Sequence, residues 1–240
     1  MKDFVLTKEV WKESDVMPFL NFLKSLSCGE EASKREKQIV CTFLDCIAVK
    51  SEDVNKIVKE ICRGNYISFL DLWIVKYFTN ITILGGVISK IKEFNTLKKY
   101  LNKYASICDC WASTDCLKFN VRKNEENFFA LAKEYLKSEK PFVRRIGIRI
   151  LFKFINKTHL KEIFSLLKSL KNEKEYYVNM AVSWFLCECF IKERNLTLEF
   201  LKENCLNEFV LRKTISKCHD SFRVTNEDKK LLTNLKESLC

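Results

Sequence analysis

Glycine and proline are scarce in this chain, five and two among 240 residues. Sheet-rich domains with many hairpins draw on both for their turns, so the shortage argues against an all-β fold and for helices. No run of 18 apolar residues is free of charge, and no membrane span is expected. Histidine is limited to His159 and His219, which leaves little imidazole for a zinc centre. The opening MKDFVLTKEVWKESD has no apolar stretch followed by a small-residue cleavage site. The twelve cysteines are therefore expected to be reduced, in a cytoplasmic protein.

Hydrophobic and basic residues are plentiful. At 47% hydrophobic the chain can bury a sizeable core, and we expect one domain over residues 1–240. Lys and Arg outnumber Asp and Glu by 42 to 31, for a formal charge of +11. The first 120 residues hold 18 basic against 15 acidic residues, the remainder 24 against 16. A basic excess suits a polyanionic partner, because neutralising phosphates releases counterions. The same composition also fits a lysine-rich solvated surface with no such partner.

Apolar residues recur at i, i+3, i+4 and i+7 almost throughout, the helical period. The pattern places helices near 15–27, 34–47, 51–63, 67–78, 81–92, 94–105, 108–120, 124–137, 141–156, 158–170, 175–192, 196–203, 207–219 and 226–238. Ser51, Asn124 and Thr225 stand where N-caps belong, with acidic residues following. Pro141 suits a first helical turn, and Gly64 suits a helix end. From residue 124 helices alternate with short turns in pairs of about 35 to 50 residues, as in HEAT-like solenoids. The expected architecture is all-α, a HEAT-like helical-repeat solenoid whose one helix layer lines a concave basic groove.

Three segments could carry chemistry. CDCWASTDC, residues 108–116, places two carboxylates and a tryptophan among three cysteines. On a helix Asp115 lies one turn from Trp111 and about 40° round, with Lys118 near the same stripe. The plain alternative is a core tryptophan beside a surface acid. Zinc is disfavoured, since a CxC pair on a helix splits its thiols to different sides; the cysteines read as small core residues and no metal is expected. In PFVRRIGIRILFKF, residues 141–154, Arg145, Arg149 and Lys153 recur every four residues and should form a basic ridge suited to phosphate. In YYVNMAVSWFLCECF, residues 176–190, Trp184 lies on a second stripe beside the core stripe, and the sequence favours its packing against a neighbouring repeat.

These helices, in this order, resemble the DNA alkylation repair enzymes of the AlkD type, DNA glycosylases built from HEAT-like repeats. The carrying segments are KYASICDCWASTDCLKF, EYLKSEKPFVRRIGIRILF and EYYVNMAVSWFLCECFIK, followed by LTLEFLKENCLNEFVLRKTISKCHDSFRV. The likeness covers roughly residues 45–225 and is strongest from about 100. It implies a groove holding duplex DNA around an alkylated purine such as 3-methyladenine or 7-methylguanine. It also implies a catalytic Asp115 with Trp111, a second groove tryptophan at Trp184, and a groove arginine at Arg145 or its neighbour Arg144. Arg149, Lys153 and Lys118 would add phosphate contacts, with no cofactor and a monomeric protein. The sequence departs from the family pattern at AVKSEDVNKIVKEI, residues 48–61, which lacks the glycine, proline and arginine usual there. Two rival readings remain, a DNA binder without catalysis and a protein-interaction scaffold.

Overall fold

The computed structural model describes residues 4–239. Among them are fourteen α-helices, 3-10 turns at Glu13–Asp15 and Phe152–Phe154, and isolated bridges but no strand. The helices fall into two compact units that divide between Lys123 and Asn124.

The first unit holds α1 (Val16–Ser25), α2 (Glu30–Val40), α3 (Ser51–Ile61), α4 (Tyr66–Leu72), α5 (Phe78–Ile88), α6 (Phe94–Ala105) and α7 (Trp111–Asp115). Its hub is α5, which packs against α3, α4, α6 and α7. Nine of its eleven residues are buried, from Phe78 to Ile88. A helix apolar on all sides is a core helix, and the other four cover it.

The second unit holds α8 (Glu125–Leu136), α9 (Pro141–Leu151), α10 (Lys157–Lys168), α11 (Tyr176–Lys192), α12 (Arg194–Lys202), α13 (Glu208–Asp220) and α14 (Asn226–Leu239). Here α9, α11 and α13 pack one on the next, while α10 packs on α12. These two layers of alternating helices are the arrangement of a helical-repeat solenoid. Pro141 opens α9 at its first turn, where a missing N–H costs nothing. The Thr225 hydroxyl accepts from the Asp228 N–H at 3.2 Å, capping α14.

Several helices are shorter than their apolar pattern. The expected 67–78 helix ends at Leu72 because Trp73 turns left-handed (φ 49°). The expected 34–47 helix runs from Glu30 and ends at Val40, where Cys41 turns left-handed (φ 54°). The 141–156 helix gives way at Phe152 to a 3-10 turn. Ser51 is the first helical residue, with Lys50 at the N-cap, and Asn124 holds the N-cap position without a side-chain cap bond. Gly64 serves a different purpose from the one its position suggested. It has no positive φ, but a Cβ there would come within 2.4 Å of the Lys8 carbonyl oxygen. Close backbone approach is what requires glycine.

The largest departure is at 108–120, where only Trp111–Asp115 is helical. Beyond it Leu117, Phe119 and Val121 are buried while Lys118, Asn120 and Arg122 are exposed. That is the period of two of an extended chain.

Candidate functional site

Helix α7 is about one and a half turns long and is fixed from below. Its N-cap, Cys110, is 1% exposed and packs with Val40 and Phe78, while Ser113 and Thr114 are fully buried. Tyr104, also fully buried, donates from its phenol to the Ser113 carbonyl at 2.7 Å and lies 3.2 Å from the Cys116 sulfur. Gly85 makes room for this contact: a Cβ there would sit 2.7 Å from Cys116 Sγ.

Trp111 and Asp115, at i and i+4, are both half-buried. The Trp111 indole N–H donates to the Ile39 carbonyl at 3.2 Å, which fixes the ring plane against the end of α2. The Thr114 hydroxyl donates to the Trp111 carbonyl at 2.7 Å and lies 3.3 Å from Asp115 Oδ1. The arrangement holds a carboxylate and an indole one turn apart on a supported helix.

Lys118 does not share that helix face. It is exposed on the extended stretch, with its backbone N–H donated to Ser89 Oγ at 2.9 Å. Together with Cys116 it lines a cavity of about 580 Å³ beside α3 and α5, a cavity whose walls include neither Trp111 nor Asp115.

The cysteines divide by place. Cys110, Cys187, Cys189 and Cys218 are buried, but Cys28 and Cys41 are exposed, so they are not uniformly core residues. Burial pushes the Cys116 thiol up to about 11 and the Cys108 thiol higher still. All eleven described cysteines are free. Among the described residues no group of three or more His, Cys, Asp and Glu is arranged to hold a metal ion.

Asp109, which sequence reasoning passed over, has a defined task. One carboxylate oxygen accepts from the Thr42 hydroxyl at 2.7 Å and from the Phe43 N–H at 2.6 Å. No local pattern could reveal it, since its partners lie 66 and 67 residues away.

In the second unit the expected basic ridge is interrupted. Arg145 is 5% exposed, and its guanidinium donates to the Tyr177 carbonyl at 2.5 Å, tying α9 to the first turn of α11. Arg144 is also occupied: it pairs with Glu173 at 2.6 and 3.0 Å and donates to the carbonyls of Ser138 and Glu139. The physical reason is shared. A guanidinium at a helix-packing seam must be satisfied there, and carbonyls and a nearby carboxylate do so. Lys153 is exposed on the 3-10 turn.

Arg149 and Trp184 form the second unit's aromatic site. The Arg149 guanidinium lies 4.5 Å from the Trp184 ring centre and 4.8 Å from Phe152. Phe152 meets the half-buried Trp184 edge-on at 4.8 Å. Trp184 thus packs against the neighbouring repeat, as its stripe suggested, and keeps a partly open surface.

The sequence matches the family described as DNA alkylation repair enzyme over residues 23–218. The chain belongs to that family. The match includes α7, α9 and α11, and it takes in residues 48–61 despite their departure from the usual pattern. A search of curated proteins finds no match. Membership makes this an enzyme family of alkylated-DNA repair, so DNA is the partner. No described helix is long and apolar enough to cross a membrane.

Proposed function

We infer that this member is a cytoplasmic, monomeric DNA glycosylase that excises cationic N-alkylated purines, 3-methyladenine and 7-methylguanine, from duplex DNA. The observation that supports it best is α7. A carboxylate and an indole one turn apart are held by a buried tyrosine, buried hydroxyls and the end of α2, in a chain of a DNA alkylation repair family. Preorganised groups of this kind stabilise charge without reorganising as it develops.

The chemistry asked of them is limited. An N3- or N7-alkylated purine already carries positive charge and departs as a neutral base with the electron pair of the glycosidic bond. Positive charge develops on the deoxyribose. Asp115 would stabilise that charge and orient a water whose oxygen bonds to C1′ and whose proton passes to the carboxylate or solvent. The face of Trp111, one turn from Asp115, would contact the cationic sugar or base, at about 0.5 to 2 kcal/mol, and Trp184 offers an aromatic face of the same kind in the second unit. Nothing in this scheme calls on a cofactor.

Phosphate contact falls to exposed cations, Lys118 and Lys153, with Arg149 beside Trp184. Arg145 and Arg144 take a different part: they hold the packing of α9 and the turns around it, and so set where Arg149 and Lys153 stand.

The test is release of 3-methyladenine and 7-methylguanine from methylated duplex DNA by wild type and Asp115→Asn side by side. Release by wild type alone, with DNA binding retained in the variant, is expected. Equal release by both would remove Asp115 from the mechanism. Tight binding without release by either would make the chain a non-catalytic binder of damaged DNA, and slight binding would favour a protein scaffold.

A further inference from the structure

Two phenylalanines are almost entirely exposed, Phe43 at 90% and Phe222 at 95%. Single apolar side chains on a surface are ordinary. These two differ in how firmly their backbones are held and in what stands beside them.

Phe43 lies on the turn after α2. Its N–H is bonded to Asp109, as is the hydroxyl of Thr42 before it. The Leu44 N–H donates to Thr42 Oγ1 at 3.2 Å, the Leu44 carbonyl accepts from Lys37 Nζ at 2.6 Å, and the Phe78 N–H donates to the Asp45 carbonyl at 2.9 Å. Leu44 and Cys46 pack into the cluster of Val40, Phe78 and Cys110. Thr42 is buried and Leu44 and Cys46 are half-buried, while the phenyl ring projects at 90% exposure on a turn whose other exposed side chains are Ile39, Cys41 and Asp45. The anchor, Asp109, is two residues before Trp111, which itself grips the Ile39 carbonyl on the other side of the turn.

Phe222 repeats the arrangement in the second unit. It lies between α13 and α14, where the Arg223 guanidinium makes two bonds to Glu188, a residue of α11. Arg223 N–H also donates to Ser221 Oγ at 3.2 Å, and Val224 is buried. Phe222 and Trp184 line one shallow cavity with Lys217. In each unit, then, a carboxylate-pinned turn presents a bare phenyl ring, the first anchored by Asp109 two residues before Trp111 and the second sharing a cavity with Trp184.

We propose that Phe43 and Phe222 are nucleobase-stacking side chains that enter or cap base steps of the bound duplex. This rests on the DNA reading above. A single projecting ring is too small to anchor a protein interface of about 800 Å² per partner, but it is the size of a base step. A base stacks on an aromatic face whatever its sequence, and a ring on a fixed backbone loses little freedom on insertion.

The experiment uses the full chain and a methylated duplex carrying 2-aminopurine, whose fluorescence reports unstacking. Wild type, Phe43→Ala, Phe222→Ala and the conservative Phe43→Tyr and Phe222→Tyr are titrated at several salt concentrations. Each alanine variant is expected to lose about tenfold in affinity. It should also lose the fluorescence change and keep the wild-type salt slope, because no phosphate contact is removed. Each tyrosine variant should retain both affinity and signal. An alanine variant that matches wild type overturns the proposal for that residue and leaves the DNA reading standing. Failure of wild type itself to bind the duplex overturns both.

Discussion

Arg145 donates to the carbonyl oxygen of Tyr177 at 2.5 Å from a site only 5% exposed. Its charge is spent inside the stack of α9 on α11. Removing the side chain takes away the bond that ties α9 to α11 and opens a void where a 5% exposed side chain stood, so Arg145→Ala should cost about 2 to 4 kcal/mol of stability. The slope of binding affinity against salt should not change. Lys153→Ala should do the reverse, with stability within about 0.5 kcal/mol and a slope reduced by about one. Urea melts and salt titrations of the two variants side by side check this; a reduced slope in Arg145→Ala would return that residue to the DNA surface.

Gly85 is the contact point of α5 with the support of α7. A methyl group there would press on Cys116 Sγ and on the Tyr104 phenol oxygen, 2.8 Å away. Gly85→Ala should therefore destabilise the protein by about 1 to 3 kcal/mol, although alanine favours helices. Gly85→Ala combined with Cys116→Ala should recover part of the loss. Thermal melts of single and double variants decide it, and additive losses would mean the clash is relieved elsewhere.

The local features of the fold are legible in the sequence, whereas the burial of Arg145 is not. All-α architecture, the position of most helices and the pairing in the second unit follow from periodicity, because a 3.6-residue apolar stripe must be buried against something. Trp111 and Asp115 at i and i+4 are equally local, and α7 preserves their spacing. What failed was non-local. The guanidinium of Arg145 is buried because a carbonyl 32 residues on awaits it, which no stripe reveals. Asp109 and Phe43 meet across 66 residues. Lys118 is a different failure: the alternation in Leu117, Phe119 and Val121 was present in the sequence, but the helical period of the flanking segments masked it.

Acid should loosen the C-terminal helix. The Arg194 guanidinium bonded to Asp228 at 2.7 Å holds that carboxyl below the usual carboxylate range. A depressed folded-state value contributes stability that is fully present above the unfolded value of about 3.9 and is lost as pH falls through the folded one. Asp228→Asn should melt earlier than wild type at pH 7, with the difference closing as pH drops below about 4. A constant difference across that range would show that the pair's charge is not what matters.

Thiol reactivity should separate the cysteines by position. At pH 8, Cys28 and Cys41, both exposed, should react first with an aromatic disulfide reagent. Cys62 and Cys116, whose thiols burial raises to about 11, should react only as the protein unfolds. Peptide mapping by mass spectrometry after timed labelling checks the order. Early labelling of Cys116 would mean that α7 opens readily.

The same protonated, enclosed thiols bear on survival of the protein where its substrate forms. Electrophiles that methylate purines also methylate sulfur, and they attack the thiolate far faster than the thiol. Cys108, Cys110 and Cys116 surround the segment bearing Trp111 and Asp115, and burial raises all three thiols. The helix is thereby packed with sulfur that resists the reagent, while Cys28 and Cys41 stand outside to be modified without touching it.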